Sequence, residues 1–103
     1  MSEHRFLELL QQKKGFFEVV LELTQEEGNL PIKEWLSVLE QKKILLSCIE
    51  EVDEKLEPFQ AAYPILPQEI GDELSTIRKV VQEILHIDEK NQEMRKKELR
   101  FYA

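Results

Sequence analysis

Four prolines, at positions 31, 58, 64 and 67, and a Gly28-Asn29 pair punctuate a chain whose apolar residues otherwise return every three or four positions. Proline lacks a backbone donor and crowds the preceding turn, so these positions mark breaks between regular elements. The intervals left between them are long. Residues 3–27, 31–57 and 67–100 each far exceed a typical strand and suit helices of about seven to nine turns.

The periodicity inside each interval is helical. Phe6, Leu10, Lys13, Phe17, Val20 and Thr24 fall at alternating steps of four and three, with Leu9, Phe16 and Leu23 widening the face. Ser2 is placed to cap this helix, with Arg5 at the position where a capping box has Glu or Gln. Gly28 is expected to end it as a left-handed C-terminal residue, and Pro31 to open the second helix. There the face reads Trp35, Leu39, Lys42, Leu46, Ile49, Asp53 and Leu56, and the helix is expected to stop before Pro58. Residues 58–67 are too rich in proline for a helix and too apolar for a free linker. They are expected to lie across the end of the molecule with Phe59, Tyr63, Ile65 and Leu66 partly buried. The third helix follows, with Ile70, Leu74, Ile77, Val81, Ile84, Asp88 and Asn91 in strict heptad alternation. The expected fold is therefore all-α, a single helical domain over residues 1–103. Its architecture is an up-down-up antiparallel three-helix bundle with a long C-terminal helix.

Charge narrows the choice of partners. The chain carries a net charge of -7. Residues 1–93 hold ten basic and twenty acidic side chains, whereas the last ten residues hold Arg95, Lys96, Lys97 and Arg100 against Glu98. An acidic surface repels phosphate backbones, so nucleic acid is a poor partner, and no apolar run reaches the length of a membrane span. The basic end suits the negative pole of a C-terminal helix. The start of the chain does not read as a signal peptide, and the single Cys48 precludes an internal disulfide. The expected location is the cytoplasm.

Catalytic chemistry finds little support. Glu83-Ile84-Leu85-His86 has the Glu-x-x-His spacing that di-iron bundles use twice, but it occurs once, and the inward faces carry Leu, Ile and Phe. Cys48 has no histidine beside it, the acidic run Glu50-Glu51-Asp53-Glu54 reads as a solvated face, and the three glycines are isolated. No catalytic residue, metal or cofactor is expected.

What remains is a surface for another helix. Lys13, Lys42, Asp88 and Asn91 interrupt apolar seams, as polar residues do at a groove edge or where they fix the register of packed helices. A partner-binding groove between the second and third helices is expected from Lys42, Leu46, Ile49, Ile77, Val81, Ile84, Asp88 and Asn91. Met94, Leu99, Phe101 and Tyr102, beyond the regular seam, are expected to form a C-terminal docking segment. The heptad from Ile70 to Ile84 also permits a coiled-coil homodimer.

The segments Leu39-Glu40-Gln41-Lys42-Lys43-Ile44-Leu45-Leu46 and Ile84-Leu85-His86-Ile87-Asp88-Glu89-Lys90-Asn91-Gln92-Glu93-Met94 resemble the flagellar export chaperones of the FlgN/FliT type. The similarity extends from Phe6 to Leu99. The prolines at 58, 64 and 67 and the basic residues after Met94 depart from the family pattern. The resemblance implies a cytosolic protein that binds the C-terminal helical segment of a hook-associated or filament-cap protein. Such a protein prevents premature assembly of that export substrate and delivers it to the export machinery.

Overall fold

The computed structural model describes residues 2–102, with side chains from Ser2 to Arg100. It contains α1 (Glu3–Glu27), α2 (Ile32–Ala62) and α3 (Gln68–Tyr102), arranged up-down-up as a three-helix bundle. The molecule is elongated, 55 × 21 × 18 Å. The long axis matches α3 itself, whose 35 residues rise about 1.5 Å each. Helix α1 is the central element. It packs along both of the others, while α2 and α3 barely approach each other.

Local chemistry sets the helix ends. Ser2 stays extended and its Oγ accepts the Arg5 backbone N–H at 3.0 Å, satisfying one of the free donors of the first turn. At the other end of α1, Gly28 is right-handed, with φ -63° and ψ -20°. The left-handed cap expected at this glycine does not form. The turn closes instead through the Asn29 and Leu30 amides, which donate to the Glu26 and Glu27 carbonyls. A Cβ here would stand 2.9 Å from Asn91 Oδ1, so a larger residue would require the Asn91 side chain to shift.

Helix α2 does not stop before Pro58 but runs through it to Ala62, so the connection shrinks to residues 63–67. An interior proline costs roughly 3 kcal/mol through its lost hydrogen bond and the clash with the preceding turn. Two features offset that cost. Pro58 faces solvent, and the turn that follows it brings Phe59 and Tyr63 onto Phe6, with ring centroids 5.5 and 5.6 Å from that of Phe6. Ile65 and Leu66 gain no such contact. Ile65 is 87% exposed and Leu66 is exposed as well, contrary to their expected burial.

The main core lies at this proline-rich end. Phe6, Leu9 and Leu10 of α1 meet Val52 and Leu56 of α2 and Ile70 and Ile77 of α3. The heptad of α3 is used as expected: Ile70, Ile77 and Ile84 are buried in their own chain, and Leu74 and Val81 are half-buried beside them. On α2 the buried face is rotated from the expected one. It runs through Val38, Lys42, Ile49, Val52 and Leu56, leaving Leu39 and Leu46 exposed. Both seams have helical spacing and they share Lys42, Ile49 and Leu56, so spacing alone does not separate them. The structure buries Val38 and Val52 in place of Leu39 and Leu46, and Val52 joins Phe6, Leu9 and Leu10 of α1 in the core.

Candidate functional site

Two features stand out above the core, one buried and one open. The buried one is a polar clasp where the α1–α2 turn meets α3. Glu27, in the last turn of α1, is 2% exposed, and its two carboxylate oxygens serve different partners. Oε1 accepts the Trp35 indole N–H, and Oε2 accepts from Lys42 Nζ at 3.1 Å. The same ammonium donates to Asp88 Oδ1 at 3.1 Å. One nitrogen on α2 is thus bound to carboxylates of both α1 and α3. A buried charge without such partners would cost several kcal/mol, roughly what breaking a buried pair costs.

Helix α3 supplies the rest. Asn91 Nδ2 donates to the Thr24 carbonyl at 2.9 Å, and Thr24 is fully buried with its hydroxyl on Val20 O. Arg95 Nη2 donates to the Glu27 and Leu30 carbonyls at 2.8 and 2.7 Å, and Nη1 to Glu98. Its guanidinium carbon also lies 5.6 Å from the centre of the Trp35 ring. The carbonyls at the C-terminal end of α1 carry the negative pole of its macrodipole, so a cation there is favoured. Arg95 therefore serves the end of α1 rather than that of its own helix. Lys96, Lys97 and Arg100 remain exposed.

The open feature is a stripe on α2. Ile32, Leu36, Leu39 and Leu46 follow one another at helical spacing and are all exposed, Leu36 at 65%. Leu39 and Leu46 lie one turn to either side of Lys42, on the flank turned toward α3. Leu85, one turn before Asp88, is 62% exposed on α3. Because α2 and α3 stay apart, these residues border a shallow trough. Its floor is α1, from which Lys13 reaches Asp53 at 2.6 Å.

Of the expected groove residues, Leu46, Val81 and Asp88 lie on this border or half-buried beside it. Lys42, Ile49, Ile77, Ile84 and Asn91 are buried beneath it, in the clasp or the core. Asp88 and Asn91 thus fix the register of the chain's own helices. Of the C-terminal residues, Leu99 is exposed and Met94 is half-buried. The side chains of Phe101 and Tyr102 lie outside the described residues.

No family model, curated protein or solved structure matches the chain.

Among the described residues, no three His, Cys, Asp or Glu side chains come together in a way that could hold a metal ion. Glu83 and His86 both face solvent. No helix among the described residues is long and apolar enough to cross a membrane. Sequence reasoning passed over Glu27, Thr24 and Arg95 as functional positions. The signal was present: Val20-Thr24-Glu27 and Ile84-Asp88-Asn91-Arg95 extend the buried seams at the same three- and four-residue steps.

Proposed function

We propose that this chain is a helix-binding module, acting in the cytoplasm as a flagellar export chaperone of the FlgN/FliT type. It holds the C-terminal helical segment of a hook-associated or filament-cap protein. This keeps the segment from assembling until the export machinery receives it. The observation that carries the reading is the α2 stripe, Ile32, Leu36, Leu39 and Leu46, exposed at the spacing an amphipathic helix needs. A monomer has little reason to expose a regular apolar row on a well-packed helix, since scattered residues are the ordinary pattern. The resemblance in residues 39–46 and 84–94 supplies the partner class.

In this reading Leu39, Leu46, Val81 and Leu85 touch the ligand helix. Lys42 and Asp88 hold the trough at a set width, and the exposed C-terminal turn around Leu99 docks to export components. The test is a pull-down from native cytosol with the wild-type chain and a Leu36→Asp/Leu39→Asp variant. Both substitutions fall on exposed positions, so the fold should persist, and far-ultraviolet circular dichroism checks that it does. Recovery of a hook-associated or filament-cap protein by the wild type alone supports the function. Recovery of neither by either bait overturns it.

A further inference from the structure

The exposed seam of α2 does not end at Leu46. At the same spacing it continues into Glu50, Glu54 and Glu57, all exposed and none with a salt-bridge partner among the described residues. The row is therefore apolar over its first four turns, about 21 Å at 1.5 Å per residue, and acidic over the next two or so. Lys43 is the one cation on the row, and it lies within the apolar part. Asp53, close by, is already neutralised by Lys13 at 2.6 Å. Arg78, at about the same level on α3, makes no salt bridge with these glutamates among the described residues.

We propose that the α2 stripe receives an amphipathic helix of another protein whose apolar face runs into a Lys- and Arg-bearing end, seated with that end over Glu50, Glu54 and Glu57. The proposal rests on the helix-binding reading above and adds the charge and placement of the ligand. Leu36, Leu39, Leu46 and Leu85 provide the affinity by burial. The three carboxylates at the proline-rich end choose which end of the ligand lies there, because opposite charges attract at the rim and like charges are penalised. A ligand helix with acidic residues at both ends would bring like charges together. A second copy of this chain would also meet like charge over residues 1–93, and only its last turns, with Lys96, Lys97 and Arg100 exposed, carry the opposite sign.

The test uses two labelled amphipathic peptides of about six turns that share one leucine stripe. One ends in lysines and the other carries glutamates at those positions, and binding is read by fluorescence anisotropy. The lysine-ended peptide should bind wild type roughly tenfold more tightly at about 50 mM salt, an advantage lost at about 0.5 M as screening shortens. Glu50→Lys/Glu54→Lys/Glu57→Lys should reverse the order, and Leu36→Asp/Leu39→Asp should abolish binding of both. Equal affinities for the two peptides on wild type would overturn the charge assignment while leaving a helix-binding stripe. Binding unaffected by Leu36→Asp/Leu39→Asp would overturn the placement. A wild-type chain that is dimeric in light scattering, and monomeric as Leu36→Asp/Leu39→Asp, would overturn the proposal in favour of a second copy. The cytosolic pull-down tests the cellular role separately, so the two readings can fail apart.

Discussion

The two ends of the bundle are joined by different forces. At the proline-rich end, Phe6, Leu10, Leu56 and Ile70 are fully buried and meet Phe59 and Tyr63 in an apolar cluster. At the turn end, the same three helices meet through Glu27, Lys42, Asp88, Asn91 and Arg95. Apolar burial is non-directional and grows with area, so it stabilises many arrangements that are roughly right. A buried ion network contributes little net energy but tolerates few geometries. The contrast suggests that one end supplies stability and the other selects which way the helices meet.

The sharpest challenge to this division is at the apolar end. Leu56→Ala should cost about 3 kcal/mol or more, since the site is walled by three helices and cannot easily collapse, and urea denaturation would measure it. A loss under 1 kcal/mol would mean that this end is loosely packed. At the other end, Glu27→Ala should cost about 3 kcal/mol by leaving Lys42 with only half-exposed Asp88. Replacing the trio together, as Glu27→Leu/Lys42→Met/Asp88→Leu, should be near neutral. If that triple variant loses as much as the single one, the clasp is itself a net source of stability and the contrast fails.

Gly28→Ala probes the closest approach across the clasp. The new Cβ meets Asn91 Oδ1 at 2.9 Å, a clash that should cost about 1–2 kcal/mol. In an Asn91→Ala background the same substitution should cost less, and a double-mutant cycle gives the coupling. The smallest expected effect is at Lys14, bound to Glu73 at 2.6 Å. The Glu73 carboxylate raises the Lys14 ammonium above its ordinary value of 10.5. The stabilisation is therefore complete below about pH 10.5 and disappears as pH climbs through the raised folded value. Its size is that of a half-solvated pair, roughly 0.2–1 kcal/mol. The melting-temperature difference between wild type and Lys14→Gln should persist up to about pH 10.5 and close as pH rises through the raised folded value, because the folded wild type loses this proton later than the unfolded chain.

The sequence carries the helical class, the three-element order and the α3 heptad, because a strict repeat over many turns has one structural solution. It is less explicit about α2, where two overlapping seams share residues and only tertiary packing chooses between them. Pro58 misled because its helix-breaking tendency is a local cost, and the aromatic contacts of Phe59 and Tyr63 with Phe6 are distant in sequence. The clasp was half legible. Lys42, Asp88 and Asn91 were conspicuous as polar residues in apolar seams, but their partners were hidden. One of those partners is the Thr24 carbonyl in the last turns of α1, a backbone group that any residue would provide. The candidate surface was missed in its outline for the same reason as the α2 face. Leu39 and Leu46, expected on the buried face, are exposed, while Lys42, Ile49 and Leu56 of the same seam are buried.

Arg95 also bears on how the chain comes together in time. Its bonds to the Glu27 and Leu30 carbonyls span 68 and 65 positions, and that of Asn91 spans 67. Contacts so remote form after local ones, because the closure entropy must first be met by neighbouring helices. The α1–α2 hairpin can therefore assemble early, with Trp35 and Lys42 already on Glu27. Its free carbonyls wait for synthesis to proceed beyond residue 95. Until that point the carbonyls at the end of α1 lack their α3 donors, although Ile70 and Ile77 can already cover the apolar core, so the polar clasp is the last part of the bundle to close.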